Sequence, residues 1–240
     1  MESTESRRGF LKKTALASVP LAVGANPARV WGAEGRGESG AVGSTRQEDE
    51  LSFFETVRTR RSVRRFKPTP VPEEDMMAIL DAARLAPTSG NQQPWKFLVV
   101  TETDLIEAME EKCVQGSLEY RRARGMEVTS EVEASVRQSL GGYFSAPTYV
   151  VVLTDNESQY PTYNHWDGPL AAGNLMLAAR ALGYGTVFIT DAIPDSVTRE
   201  VLGVPDRYTR VCITPVGVPE EWPDSPPKKD LSEFVVRERF

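Results

Sequence analysis

Two short stretches of this chain carry residues whose types and spacing could do chemistry. RTRRSVRRF, Arg58 to Phe66, puts five arginines into eight residues, and APTSGNQQPW, Ala86 to Trp95, is a turn of small residues and amides that ends in an aromatic. On an extended segment side chains alternate, so Arg60, Ser62 and Arg64 are expected on one face and Arg61, Val63 and Arg65 on the other. At ~3.3 Å per residue, Arg60 and Arg64 stand about 13 Å apart, comparable with a flavin mononucleotide measured from phosphate to ring. A guanidinium at one end can fork onto phosphate while the Ser62 hydroxyl meets a ribityl chain. A guanidinium at the other end can sit by the pyrimidine edge of the ring and stabilise the negative charge that reduction places there. The two stretches thus read as two halves of a site for a phosphorylated, flat, redox-active cofactor. A solvated basic patch or an RNA-binding strip would use the same arginines. Plain turn chemistry would likewise explain Thr88 and Ser89. The residues alone leave these readings level.

Bulk properties narrow the field. Of 240 residues, 40% are hydrophobic and 26% charged, an ordinary globular composition with enough chain for a sizeable core. The net charge of -6 divides into +3 for residues 1–33 and -9 for the remainder. So acidic a body, with no aromatics interleaved among the arginines, argues against general nucleic-acid binding. One histidine, His165, and two distant cysteines, Cys113 and Cys212, exclude a zinc cluster and a Cys-x-x-Cys redox pair. Both cysteines sit in apolar sequence and read as buried thiols rather than a disulfide. No nucleophile elbow accompanies His165. Redox chemistry here would come from a bound organic cofactor.

SRRGFLKK, Ser6 to Lys13, precedes a mildly apolar stretch of signal-peptide length that is too short to span a membrane. It resembles a twin-arginine export signal, with a disordered basic tail as the rival reading. An exported protein would be periplasmic or otherwise extracytoplasmic, and would have loaded its cofactor before export. Residues 1–33 are expected as the signal, 34–50 as a flexible linker, and 51–240 as the folded domain.

Within that domain Ser52 and Glu55 form a capping box for a short helix, followed by an extended run over Arg60–Lys67. Residues 71–87 predict a helix with Pro72 and three acids in its first turn and Met76, Ile79, Leu80 and Ala83 on one face. Strands are expected at Trp95–Thr101, Thr148–Thr154, Thr186–Thr190 and Arg210–Val218. Helices are expected at Asp167–Gly185, apolar nearly all round, and near Ser196–Leu202. Residues 103–140 read as solvated helices broken near Gly125, or alternatively as a mobile lid. The Pro-rich tail, 219–240, is expected to wrap a partner subunit.

ETVRTRRSVRRF, APTSGNQQPWKFLVV, the Asp167–Gly185 helix leading into TVFIT, and ITPVGVP resemble, in order and spacing, the FMN-dependent nitroreductase family over residues 52–240. The pattern is nearer its iodotyrosine deiodinase-like branch. The resemblance implies an α+β fold, a mixed or antiparallel sheet flanked by helices, in an intertwined homodimer with two FMN molecules at the subunit interface. It assigns Arg60, Arg61 and Ser62 to the phosphate and ribityl chain and Arg64 to the ring. Pro87, Thr88, Ser89 and Asn91 would reach the flavin from the partner, Thr190 would meet flavin N5, and Lys228 or Lys229 would add a phosphate contact. It implies a ping-pong oxidoreductase passing hydride from NAD(P)H, or another donor, to a nitroaromatic, quinone or similar small aromatic acceptor. No protein acid or base is required. The alternative is reductive dehalogenation of a halogenated phenol, with Glu119, Tyr120 and Arg121 in the substrate-gripping region. The least favoured is a non-enzymatic anion binder.

Overall fold

A computed structural model describes residues 51–240, and the expected signal (1–33) and linker (34–50) lie outside them. The sheet is built on β2, Thr148–Asp155, whose residues are buried from Thr148 to Thr154. It pairs antiparallel with β1, Trp95–Val100, on one side and with β4, Tyr208–Gly217, on the other. A two-residue strand, β3 (Gly185–Thr186), completes the order β1-β2-β4-β3. Successive side chains of a strand leave on opposite faces. Tyr149, Val151 and Leu153 therefore enter one core, and Val150 and Val152 the other.

Helices cover both faces. Met76, Ile79 and Ala83 of α2 (Glu73–Arg84) and Ala172, Leu175 and Ala179 of α5 (Asn164–Ala181) fill one core. The other takes Ile106 and Met109 of α3 (Thr103–Ala123) and Val197 of α6 (Asp195–Leu202). Between α3 and α4 (Ser130–Gly141) the chain turns at Gly125, φ +71°, and Val114, Leu118 and Val136 form a small core of their own. Arg137 ties this hairpin by ion pairs to Glu111 and Glu133. Helix α1, Phe53–Thr59, opens with the Ser52–Glu55 capping box. Cys113 and Cys212 are both buried and unbonded; desolvation pushes their thiols up, to about 11 and about 12.

Two elements depart from the sequence-based expectation. The strand expected over Thr186–Thr190 pairs only at Gly185–Thr186 and again at Ile189, opposite Ile213. Between them Val187 and Phe188 are left unpaired with the register unchanged on either side, and Phe188 turns outward to 38% exposure while Val187 and Ile189 stay buried. Helix α5 begins at Asn164 and ends at Ala181, and Gly183, φ +86°, reverses the chain beyond it. It is not buried all round: Trp166 and Leu170 project outward.

Candidate cofactor-binding site

The extended run after α1 forms the edge of the sheet. Ser62 bridges Thr186 in parallel, and Val63 N–H donates to the Thr186 carbonyl at 3.0 Å. On its other side Lys67 N–H donates to Val218 and Glu220 N–H to Arg65, so the chain leaving β4 is stitched antiparallel to the arginine run. The tail is then anchored by Trp222, over whose ring the Arg180 guanidinium lies at 3.9 Å. Arg180 also donates to the Thr59 hydroxyl at 3.0 Å, which joins α5, α1 and the tail.

These connections enclose a concavity of about 740 Å³. Arg58, Arg60, Arg61, Ser62 and Arg64 line one side, and Pro223 to Pro226 with Lys228 the other. Asp224 is the one acidic residue lining it. Among the described residues no ion pair engages Arg60, Arg61, Arg64 or Lys228. Arg61 does not turn to the opposite face as strand alternation predicts. Its Nη1 folds back onto the carbonyls of Arg58 and Arg60, at 2.7 and 2.8 Å, where the end of α1 attracts a cation. That leaves Arg61 Nε buried without an acceptor. The Thr186 hydroxyl, beside Ser62, is buried and unpartnered too. Desolvation, and then the charge of Arg61, press the Arg180 guanidinium below its ordinary value. A cluster of cations with an orphaned donor is suited to a phosphate, which supplies both charge and acceptor oxygens. The residues present fit FMN: the concavity is of ligand size, and its cations converge from both ends of the domain.

Other expected site residues lie elsewhere on this chain. Pro87, Thr88, Ser89 and Asn91 do not line the concavity. They form a separate exposed turn in which Gly90 (φ +58°), Asn91 (+56°) and Gln93 (+48°) are left-handed. That turn is held by residues the local sequence does not single out. Ser89 N–H donates to Asp167 at 3.2 Å, and the Gln92 amide donates to Asp167 at 2.7 Å and to the Tyr160 carbonyl at 3.1 Å. Tyr160 N–H donates back to Gln92 at 2.7 Å. The visible clue to Asp167 was one carboxylate on an otherwise apolar helix; nothing local marks Tyr160. Thr190 is exposed, its hydroxyl turned to Asp191 and its carbonyl accepting from Arg210 at 2.6 Å. Lys228 faces the concavity, whereas Lys229 pairs with Glu233 at 3.5 Å. Glu119 and Tyr120 end α3 exposed, and Arg124 lies over the Tyr120 ring at 4.4 Å.

Comparison with known proteins bears on this geometry. Residues 57–218 match the nitroreductase family. A relative in Archaeoglobus fulgidus, provisionally named NADH dehydrogenase/NAD(P)H nitroreductase, is 30% identical over 70% of this chain and 86% of its own. An iodotyrosine deiodinase of Thermotoga neapolitana is 30% identical over 77% of this chain and 96% of its own. A solved iodotyrosine deiodinase, bound to FMN and 3-iodo-L-tyrosine, shares the fold with a TM-score of 0.62 at 24% identity, covering 79% of this chain and all of that one.

Proposed function

This chain belongs to the nitroreductase family, and from that premise and the chemistry of its site we propose that it is an FMN-dependent oxidoreductase. The observation that carries the proposal is the convergence of Arg60, Arg61, Ser62 and Arg64 with Lys228 on one concavity, where Arg61 keeps a buried, unanswered N–H. Arg60, Arg61 and Lys228 would hold the phosphate, Ser62 the ribityl chain, and Arg64 the electron-rich edge of the ring. When bound, FMN supplies the electron transfer from a reduced nicotinamide, or another donor, to a nitroaromatic, quinone or similar small acceptor. The protein's part is orientation, exclusion of water and a field that favours negative charge on the ring.

In this reading the active unit is a homodimer in which the turn at Pro87–Asn91 of one subunit meets the flavin of the other. Support comes from exposed apolar side chains on α1 (Phe53, Phe54), on α5 (Trp166, Leu170) and on the tail (Leu231, Phe234), which an interface would cover. Export by a twin-arginine signal over residues 1–33 belongs to the same proposal. It favours a protein or quinol donor, because NAD(P)H is scarce outside the cytoplasm. The visible spectrum of the purified full chain tests the core of the reading. Flavin bands, with FMN released on denaturation, are expected; a colourless protein that also refuses added FMN would refute it. Anaerobic bleaching by NADH or NADPH then decides the donor, and failure of both would leave only the non-nicotinamide donor.

Reductive dehalogenation is the second reading, favoured by the deiodinase relative whose length this chain almost fully matches. Iodide release from an iodophenol by the reduced protein would support it. No halide release while a nitroaromatic is turned over would count against it.

A further inference from the structure

We infer that Asp167 is the positioning residue for the flavin-facing turn, acting through Ser89 and Gln92; this rests on the proposed FMN reading. The carboxylate is 3% exposed, and no ion pair among the described residues engages it. Its charge is tolerated because it lies in the first turn of α5, where the helix dipole favours an anion, and accepts two N–H groups from the turn. Three left-handed residues make this turn costly to form. Two are not glycine, so the conformation needs outside support. Asp167 supplies it from one side. Tyr160 supplies it from the other, closing over Gly90 so tightly that a Cβ there would lie 2.5 Å from the Tyr160 ring. Only glycine fits between ring and backbone at that φ. Asp167, Ser89, Gln92 and Tyr160 therefore form a frame for the turn that carries Pro87, Thr88 and Asn91, with Pro87 and Asn91 exposed, at a site separate from the arginine concavity. The frame sets the ring end of the cofactor together with Arg64; Arg60, Arg61 and Lys228 set the phosphate end.

Those two ends can be separated with two ligands. Apo-protein of the full chain is titrated with FMN and with riboflavin, wild type against Asp167→Asn. The substitution replaces one acceptor oxygen by a donor facing Ser89 N–H or the Gln92 amide, leaving a donor against a donor. Loss of a hydrogen bond to a charged acceptor corresponds to about tenfold or more in affinity. Both flavins are expected to weaken by the same factor, leaving their ratio unchanged, because the phosphate end is untouched. Amide exchange over residues 88–93 of the apo-protein is expected to speed up. Should Asp167→Asn fail to fold, Gly90→Ala displaces the same turn from the Tyr160 side and is expected to give the same pattern. Wild-type affinity for both flavins in Asp167→Asn despite a loosened turn would overturn the inference, and so would loss of FMN without loss of riboflavin. Wild-type protein that binds neither flavin would refute the cofactor reading instead, while unchanged exchange in Asp167→Asn would show that the carboxylate does not hold the turn.

Discussion

Removing the Arg61 side chain is expected to separate phosphate recognition from ring recognition. In the free protein this guanidinium spends Nη1 on the Arg58 and Arg60 carbonyls and leaves Nε buried and unanswered. A buried donor without an acceptor costs about 1–3 kcal/mol, and a phosphate oxygen would both relieve that and add a charge-assisted bond. Arg61→Ala should therefore cost about 1.5–3 kcal/mol of FMN binding, or roughly 10- to 150-fold in Kd. Riboflavin has no phosphate, so its affinity should be unchanged. Arg61→Lys keeps the charge but not the fork, and should fall between wild type and Arg61→Ala. Fluorescence titration of apo-protein with each flavin measures both affinities, and thermal melting of the apo forms separates the loss of two backbone contacts from the loss of a ligand contact. Equal weakening of FMN and riboflavin, or no change in either, would refute the placement of phosphate at Arg61.

Arg64→Ala should make the flavin harder to reduce, because the cation proposed beside its electron-rich edge is lost; an unchanged reduction potential would remove Arg64 from the ring. Gly168→Ala places a Cβ 2.4 Å from Val211 Cγ2 and 2.9 Å from Thr154 Cγ2. Overpacking between α5 and the sheet should cost about 1–3 kcal/mol, seen as a lower urea midpoint with an unchanged slope. Hydrogen bonds from Arg207, at 2.8 and 2.5 Å, hold the Asp155 carboxyl below its ordinary value. A lowered folded pKa stabilises the fold fully above the unfolded value, about 4, and that contribution is lost as pH falls through the folded value. The melting-temperature gap between wild type and Asp155→Asn should accordingly be open at neutral pH and close toward strong acid; a gap independent of pH would refute the pairing.

Local chemistry was legible wherever a short stretch decides its own conformation. The Ser52–Glu55 capping box, the acidic first turn of α2 and the unbroken apolar run of β2 each announce an element, and each is found. The density of arginines from Arg58 to Arg65 was legible too, but the residues alone left a cofactor site level with a solvated basic patch. Long-range contacts decided the rest. Period-2 alternation sent Arg61 away from Arg60, but the carbonyls ending α1 drew it back, because Arg61 lies before the first bridge of the run to the sheet, at Ser62. Alternation also extended β3 through Thr190, whereas pairing is interrupted at Phe188 and resumes at Ile189. Lys228 was separated from Lys229 only when Trp222 docked on Arg180 and oriented the tail. Asp167 and Gln92, 75 positions apart, meet only because α5 folds against the turn before β1. The sequence by itself determined which residues could carry a phosphate and a flat ring. Only the tertiary structure decided which of them share a surface, because that depends on contacts between segments whose separation along the chain leaves no periodic trace.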